Sequence, residues 1–145
     1  LANYRNQYVG FVFQFHFLLS SMNCKDNILL PAKIGASRNL DTIEGKVFKM
    51  AEILGVSHCL NKLPRELSGG EQQRINIIRA LSQGPKLLLC DEPTGNLDSE
   101  NSSKVISLIM DLAREFEATL LVVTHDSDIA ARFSNRFQMI DGQMH

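Results

Sequence analysis

Leu67-Ser68-Gly69-Gly70-Glu71-Gln72-Gln73-Arg74 and, further along, Leu87-Leu88-Leu89-Cys90-Asp91-Glu92-Pro93 decide the reading of this chain. The first run places Glu71 three residues after Ser68, which is a capping box. Ser68 can accept from the N–H of Glu71, and Glu71 can reach back to the N–H of Ser68. The remaining free N–H groups of such a helix start attract an anion. The second run is short, apolar and ends in two acids, as a buried strand does at its carboxyl end. In open α/β sheets ligands bind just beyond that end. One acid there can hold Mg²⁺, an oxygen-seeking ion, and its neighbour can take a proton from an attacking water. Together these are parts for handling the phosphates of a nucleotide.

Outward from these runs, the chain alternates strands and helices. Val9-Gly10-Phe11-Val12-Phe13, followed by polar Gln14, reads as a buried strand. Ser20 to Ala32 reads as a helix with Pro31 near its end, and Gly35 to Asn39 as a loop. Leu40 to Leu54 carries Ile43, Val47, Met50 or Ala51, and Leu54 at helical spacing, and Gly55 stops it. Pro64 breaks the chain ahead of the glycine pair. The helix begun at Ser68 runs to about Ser82, where Gly84-Pro85 ends it. Lys86 to Cys90 is a buried strand, and Asp98 or Ser99 caps a long helix whose Val105, Ile109, Leu112 and Phe116 share one face. Thr119 to Val123 is a third strand with residues suited to full burial. A short helix from Ser127, a strand near Phe137 to Ile140 and an Asp141-Gly142 turn close the sequence. The pattern predicts a mostly parallel α/β sheet, with a helical insertion where no strand is read, from Phe15 to Ser82.

Composition sets limits. A net charge of −1 gives no electrostatic argument for nucleic acid or anionic lipid as a partner. Cys24, Cys59 and Cys90 lack C-x-x-C spacing, so neither a disulfide framework nor a zinc site is expected, and a reducing cytosolic compartment fits. The cysteines read as small hydrophobes, Cys90 in the core of the sheet. No apolar run approaches the ~20 residues that span a bilayer, and no signal peptide is read at the start of the chain. The sequence begins with Leu1, which reads as a segment of something longer. His16, His58 and His145 join no arrangement and are read as surface or packing residues.

Two further strand ends carry chemistry. Gln14 has an amide that can face both a metal and a water. His125, in Thr124-His125-Asp126, can donate to a phosphate oxygen.

In their order, these motifs resemble the nucleotide-binding domains of ABC transporter ATP-binding subunits, and Pro93-Thr94-Gly95-Asn96-Leu97-Asp98 matches that family's continuation. The resemblance implies ATP and Mg²⁺ as cofactors. It assigns Asp91 and Gln14 to magnesium, Glu92 to the base, Gln14 also to the attacking water and His125 to the switch position. Ser68, Gly69 and Gly70 would contact the γ-phosphate of ATP held by an opposite subunit, which implies a head-to-tail homodimer. Asp98 would couple the two sites, while also being a good N-cap. The implied fold is a partial P-loop NTPase of three layers, with residues 1–14 and 85–145 as a RecA-like core and 15–84 as the helical subdomain ending in the signature helix.

Tyr4-Arg5-Asn6, Val9 to Gln14, Leu18-Leu19, Asn27 to Pro31 and Ser99 after Asp98 point to the lipoprotein-releasing and macrolide-exporter subgroup. That subgroup implies integral membrane permease partners and a peripheral place on the cytoplasmic face of the bacterial inner membrane, with no inserted segment and no nucleic acid. Phe15-His16-Phe17 and Ile77-Ile78 depart from the usual pattern. No G-x-x-x-x-G-K-[ST] loop occurs in the 145 residues, so the stretch alone is expected to be inactive. Two alternatives stand beside the transporter reading: a non-catalytic remnant, and an ABC ATPase of a non-transport, cell-division type.

Overall fold

In a computed structural model, residues 8–14, 17–35, 39–95 and 97–144 are described. Most of the loop read over 35–39, and the histidines at 16 and 145, lie outside them. So do Tyr4-Arg5-Asn6 and Phe15. The strands are β1 (Val9–Phe13), β2 (Leu87–Asp91) and β3 (Thr119–Val123), which pair in that order, both pairs parallel. Between β1 and β2 come α1 (Cys24–Ile34), α2 (Leu40–Ile53) and α3 (Gly69–Leu81); α4 (Ser99–Glu115) joins β2 to β3. After β3 follow α5 (Ser127–Ala130) and a hairpin of β4 (Met139–Ile140) and β5 (Gln143–Met144). Its turn, Asp141-Gly142, has both residues at positive φ, 49° and 78°, as a two-residue hairpin requires.

Helix ends follow their caps. Asn23, Asn39, Ser68 and Asp98 each accept from a backbone N–H of the first turn. Asp98 rather than Ser99 is therefore the cap of α4. The expected start of the first helix at Ser20 is corrected to Cys24. Residues before it wrap around the Asn27 amide, whose Oδ1 accepts from the Leu19 N–H and whose Nδ2 donates to the carbonyls of Leu19, Met22 and Asn23. That fully buried amide is satisfied only if residues 19–23 stay out of the helix. Pro31 lies inside α1, which continues to Ile34.

The strands' burial also departs from expectation. Gly10, Val12, Leu88 and Cys90 point to one face and are buried, with Leu120 and Val122 packed partly against the same cluster. Here α3 packs on β1 and α4 on β3, as two right-handed crossovers running the same way along a sheet demand. The register sets Phe11, Leu89 and Leu121 in one row and Phe13, Asp91 and Val123 in another, on the opposite face. There Leu121 is 49% and Val123 57% exposed. Full burial of β3 is thus not found, because no described helix covers that face. Phe11 and Phe13 stack on it, ring centroids 5.7 Å apart, and Phe17 meets Phe13 edge-on.

The helical segment, by contrast, closes on itself. α1, α2 and α3 pack together around Ile28, Val47, Met50, Ile75 and Ile78, all fully buried. An ion pair between Lys25 and Glu44 ties α1 to α2 at the surface.

Candidate nucleotide and metal site

Three neighbouring strands end at one edge, and each delivers a polar residue there. Phe13, Asp91 and Val123 are in register, so Gln14, the Asp91-Glu92 pair and Thr124-His125 follow side by side, at a strand spacing of about 4.8 Å.

Glu92 is the most constrained of these. Its φ of 45° lies in the left-handed region, a cost borne by a non-glycine residue only where the surroundings fix it. Its N–H donates to the Val123 carbonyl at 2.9 Å, and the turn after it closes with Gly95 N–H donating back to the Glu92 carbonyl at 3.1 Å. The carboxylate, 22% exposed, collects three donors. Oε1 faces the His125 N–H at 2.8 Å and Nδ1 at 2.6 Å, and Oε2 accepts from Thr124 Oγ1 at 3.2 Å. The hydrogen bond to Glu92, with its negative charge, raises the His125 pKa above the ordinary imidazole value. The candidate base and the candidate switch residue are therefore joined to each other.

Asp91 differs. It is exposed, and its carboxylate has no hydrogen-bond partner among the described residues. A hard divalent cation needs such unspent oxygens, and an amide oxygen beside them, from half-buried Gln14, fits the same chemistry. Gly95 makes room for that amide: a Cβ at Gly95 would stand 2.6 Å from Gln14 Nε2 and 2.8 Å from its Cδ. Cys90, next to Asp91, has its thiol pushed up to about 12 by burial, so it stays protonated in the core.

Ser68, Gly69 and Gly70 sit at the head of α3, where the expected capping box forms. Ser68 Oγ accepts from the Glu71 N–H at 3.3 Å, while Glu71 Oε2 accepts from the Ser68 N–H and hydroxyl, each at 2.8 Å. These bonds, first the backbone one and then the hydroxyl, with His58 after them, hold the Glu71 carboxyl down at about 2. A Cβ on Gly69 would meet nothing within 4 Å, and on Gly70 only Arg74 Nη1 at 4.0 Å, so the approach to this helix head is open. Asp98 heads α4, accepting from the Asn101 N–H at 2.9 Å and Nδ2 at 2.7 Å, which lowers its pKa.

Three contacts here escape sequence reading. Buried Gln73, in the second turn of α3, donates through Nε2 to the Pro93 carbonyl at 2.7 Å, tying that helix to the loop after Glu92. Thr124 Oγ1 is a donor to Glu92. His58, expected to be a surface or packing residue, instead brings Nε2 to 2.9 Å from Glu71 Oε1. Each links residues far apart in sequence, which no spacing rule signals.

A family model for ABC transporters matches residues 2–95. The lipoprotein-releasing system ATP-binding protein LolD of Bdellovibrio bacteriovorus is 43% identical over 143 residues, covering 99% of this chain and 64% of that protein. The LolD of Shewanella oneidensis is 44% identical over 144 residues, covering 99% and 62%. This chain thus spans less than two thirds of the length of these relatives. Among solved structures, the dimer of MJ0796, described as a bacterial ABC transporter cassette, matches with a TM-score of 0.74 and 32% identity over 89% of this chain and 57% of that one. MJ0796 in a post-hydrolysis state bound to ADP and Pi matches with a TM-score of 0.71 and 34% identity, over 88% and 56%. The parallel sheet with its crossover helices is accordingly part of the P-loop NTPase fold of such cassettes. The chain belongs to the ABC transporter family, within its ATP-binding domain.

Proposed function

We propose that this chain is part of an ATP-binding and ATP-hydrolysing subunit that powers a bacterial membrane transporter, of the lipoprotein-releasing or macrolide-export type. One observation carries the reading. Glu92 stands at the carboxyl end of a parallel strand, its carboxylate steered by Thr124 and His125, with Asp91 unspent beside it. Asp91 and Gln14 would hold Mg²⁺, which neutralises phosphate charge when bound. Glu92 takes the proton of the attacking water. With three donors in place its carboxylate keeps an acceptor site at Oε2 for that water, and the exposed His125 ring would turn its N–H to the γ-phosphate. Ser68, Gly69 and Gly70 would offer the head of α3 to the nucleotide of a second copy, in a head-to-tail homodimer, and Asp98 would couple the two sites.

The same reading treats residues 1–14 and 85–145 as the catalytic core and 15–84 as a helical subdomain facing integral membrane permeases. It also puts the subunit peripherally at the cytoplasmic face of the inner membrane, and what supports this is the likeness to lipoprotein-releasing system ATP-binding proteins. No described helix is long and apolar enough to cross a membrane.

The test is Glu92→Gln in a protein that carries this chain together with a phosphate-binding loop. Hydrolysis should fall ~10²–10⁴-fold, the usual worth of a general base, while ATP binding survives. Steady-state turnover within a few-fold of the parent would sink the assignment.

A second reading rests on the motif the 145 residues lack: by themselves they do not hold ATP. A helix terminus gives an exposed anion about 0.3–1 kcal/mol, against the ~4 kcal/mol that even millimolar affinity takes. Calorimetry of the 145-residue chain with MgATP should show no saturable heat, and micromolar binding would refute this.

A further inference from the structure

We propose that His58, Cys59 and Glu71 form a binding site for one zinc-class divalent cation at the head of α3. The cysteine spacing excludes a cysteine-rich zinc motif; this site is assembled by the fold from three residue types. A 3-10 turn, Ser57–Cys59, packs beside α2 and presents His58 and Cys59 consecutively. Glu71, in the first turn of α3, faces them. His58 Nε2 lies 2.9 Å and Cys59 Sγ 3.4 Å from the same oxygen, Glu71 Oε1, and the three donor atoms all fall within 4.8 Å of one another. No other group of three such side chains converges among the described residues.

These separations match the edges of a metal's coordination shell. With metal bonds of about 2.0 Å to nitrogen and oxygen and 2.3 Å to sulfur, a tetrahedron has N···O edges of about 3.3 Å and S···O edges of about 3.5 Å. The two edges at the Glu71 oxygen need only a few tenths of an ångström of widening, and the half-exposed His58 ring is free to swing so that the His58–Cys59 edge, within 4.8 Å, settles to the length the ion requires. An imidazole, a thiolate and a carboxylate suit zinc, whereas a thiolate argues against magnesium and calcium. Three protein ligands leave a fourth position for water.

The support around the ligands is also present. Glu71 divides its carboxylate, Oε2 accepting from the Ser68 N–H and hydroxyl while Oε1 faces the site. Such outer bonds orient a metal ligand. Cys59 is fully buried and His58 exposed, so the ion enters from the His58 side and meets the thiol on the dry side. On binding, the Cys59 S–H bond breaks, its proton passes to solvent and an S–metal bond forms. The ion then fixes the turn of residues 57–59 to the helix that begins with Ser68, without displacing the cap.

The test is titration of the purified, chelator-treated chain with Zn²⁺ by calorimetry and with Co²⁺ as a spectroscopic probe. One equivalent should bind, and Co²⁺ should give a thiolate charge-transfer band with tetrahedral visible bands that Zn²⁺ displaces. His58→Ala, at an exposed position that leaves the circular dichroism unchanged, should weaken binding by about tenfold or more. Cys59→Ser should abolish the thiolate band, and a Cys24→Ser, Cys90→Ser double variant that remains folded should keep it. Absence of one-equivalent binding, a thiolate band that survives Cys59→Ser, or an affinity indifferent to His58→Ala would each overturn the site. None of these readouts depends on nucleotide hydrolysis.

Discussion

The helical segment and the sheet both carry large apolar residues, yet they use them differently. In α1, α2 and α3 one stripe turns inward, so that Ile28, Val47, Met50, Ile75 and Ile78 have no exposed surface, while Ile34, Phe48 and Ile53 lie off that stripe and stay exposed. In the sheet only one side of the pleat is covered. Gly10, Val12, Leu88 and Cys90 are buried, whereas Phe11, Phe13, Leu121 and Val123, at the alternate positions, are between 37% and 57% exposed. Parallel sheets ordinarily have helices on both faces. Three helices can satisfy one another, because each needs only one stripe buried. A strand with apolar residues on both sides needs two partners, and the described residues supply one.

That contrast predicts unequal costs for equal chemistry. Ile78→Ala should remove about 2–5 kcal/mol of stability, since it deletes buried methylene groups and leaves a cavity where α3 meets its neighbours. Leu121→Ala, of similar size change on the uncovered face, should stay within about 0.5 kcal/mol. Denaturant midpoints of the two variants measure the difference. A large loss at Leu121 would mean that this face is covered in solution.

A seam joins the two regions, and it can be tested by a single methyl group. Gly10 of β1 lies against α3 so closely that a Cβ there would overlap the Ala80 carbonyl oxygen and stand 3.0 Å from Leu88 Cδ1. The nearer obstacle is backbone, so Ala80 cannot step aside by changing rotamer. Gly10→Ala should destabilise by about 1–3 kcal/mol through overpacking. Measured by thermal unfolding, a neutral result would show that sheet and helices are less tightly docked than the geometry says.

What was legible in sequence divides along the same line. Caps are local: Ser68 with Glu71, and Asp98 ahead of Val105, Ile109 and Leu112, announce their helices within a few residues, and the structure places both helices there. The alignment of Gln14, Asp91, Glu92 and His125 along one edge was legible too, since each follows or ends an apolar strand in a parallel pattern. The start of α1 was not, because it depends on what the buried Asn27 amide demands of residues eight and five positions earlier. Nor were the Gln73 bond to Pro93, the His58 contact with Glu71 or the Thr124 bond to Glu92, which span 20, 13 and 32 residues. One-sided exposure of β3 was invisible for a further reason: Leu120-Leu121-Val122-Val123 carries no polar alternation to say which side lacks a partner.

The smallest effect expected is electrostatic, at the open edge of the sheet. His125 is 86% exposed on its side chain while Glu92 is 22%, so their bond forms at the water's margin. The hydrogen bond with Glu92 and then its charge raise the imidazole pKa, which means the folded state favours the protonated ring. This contribution is fully present below the pKa of the unfolded chain and is lost as pH rises through the higher folded value. An NMR titration of the His125 ring protons should therefore show a midpoint above the ordinary imidazole range. Glu92→Gln keeps an oxygen for the His125 N–H but removes the charge, so the midpoint should fall back toward the ordinary value. Added salt should shrink the shift in the parent, because an exposed pair is screened as a buried one is not. A raised midpoint unmoved by Glu92→Gln would break the link between these two residues. One unmoved by salt would show that this edge is as well covered as the helical core.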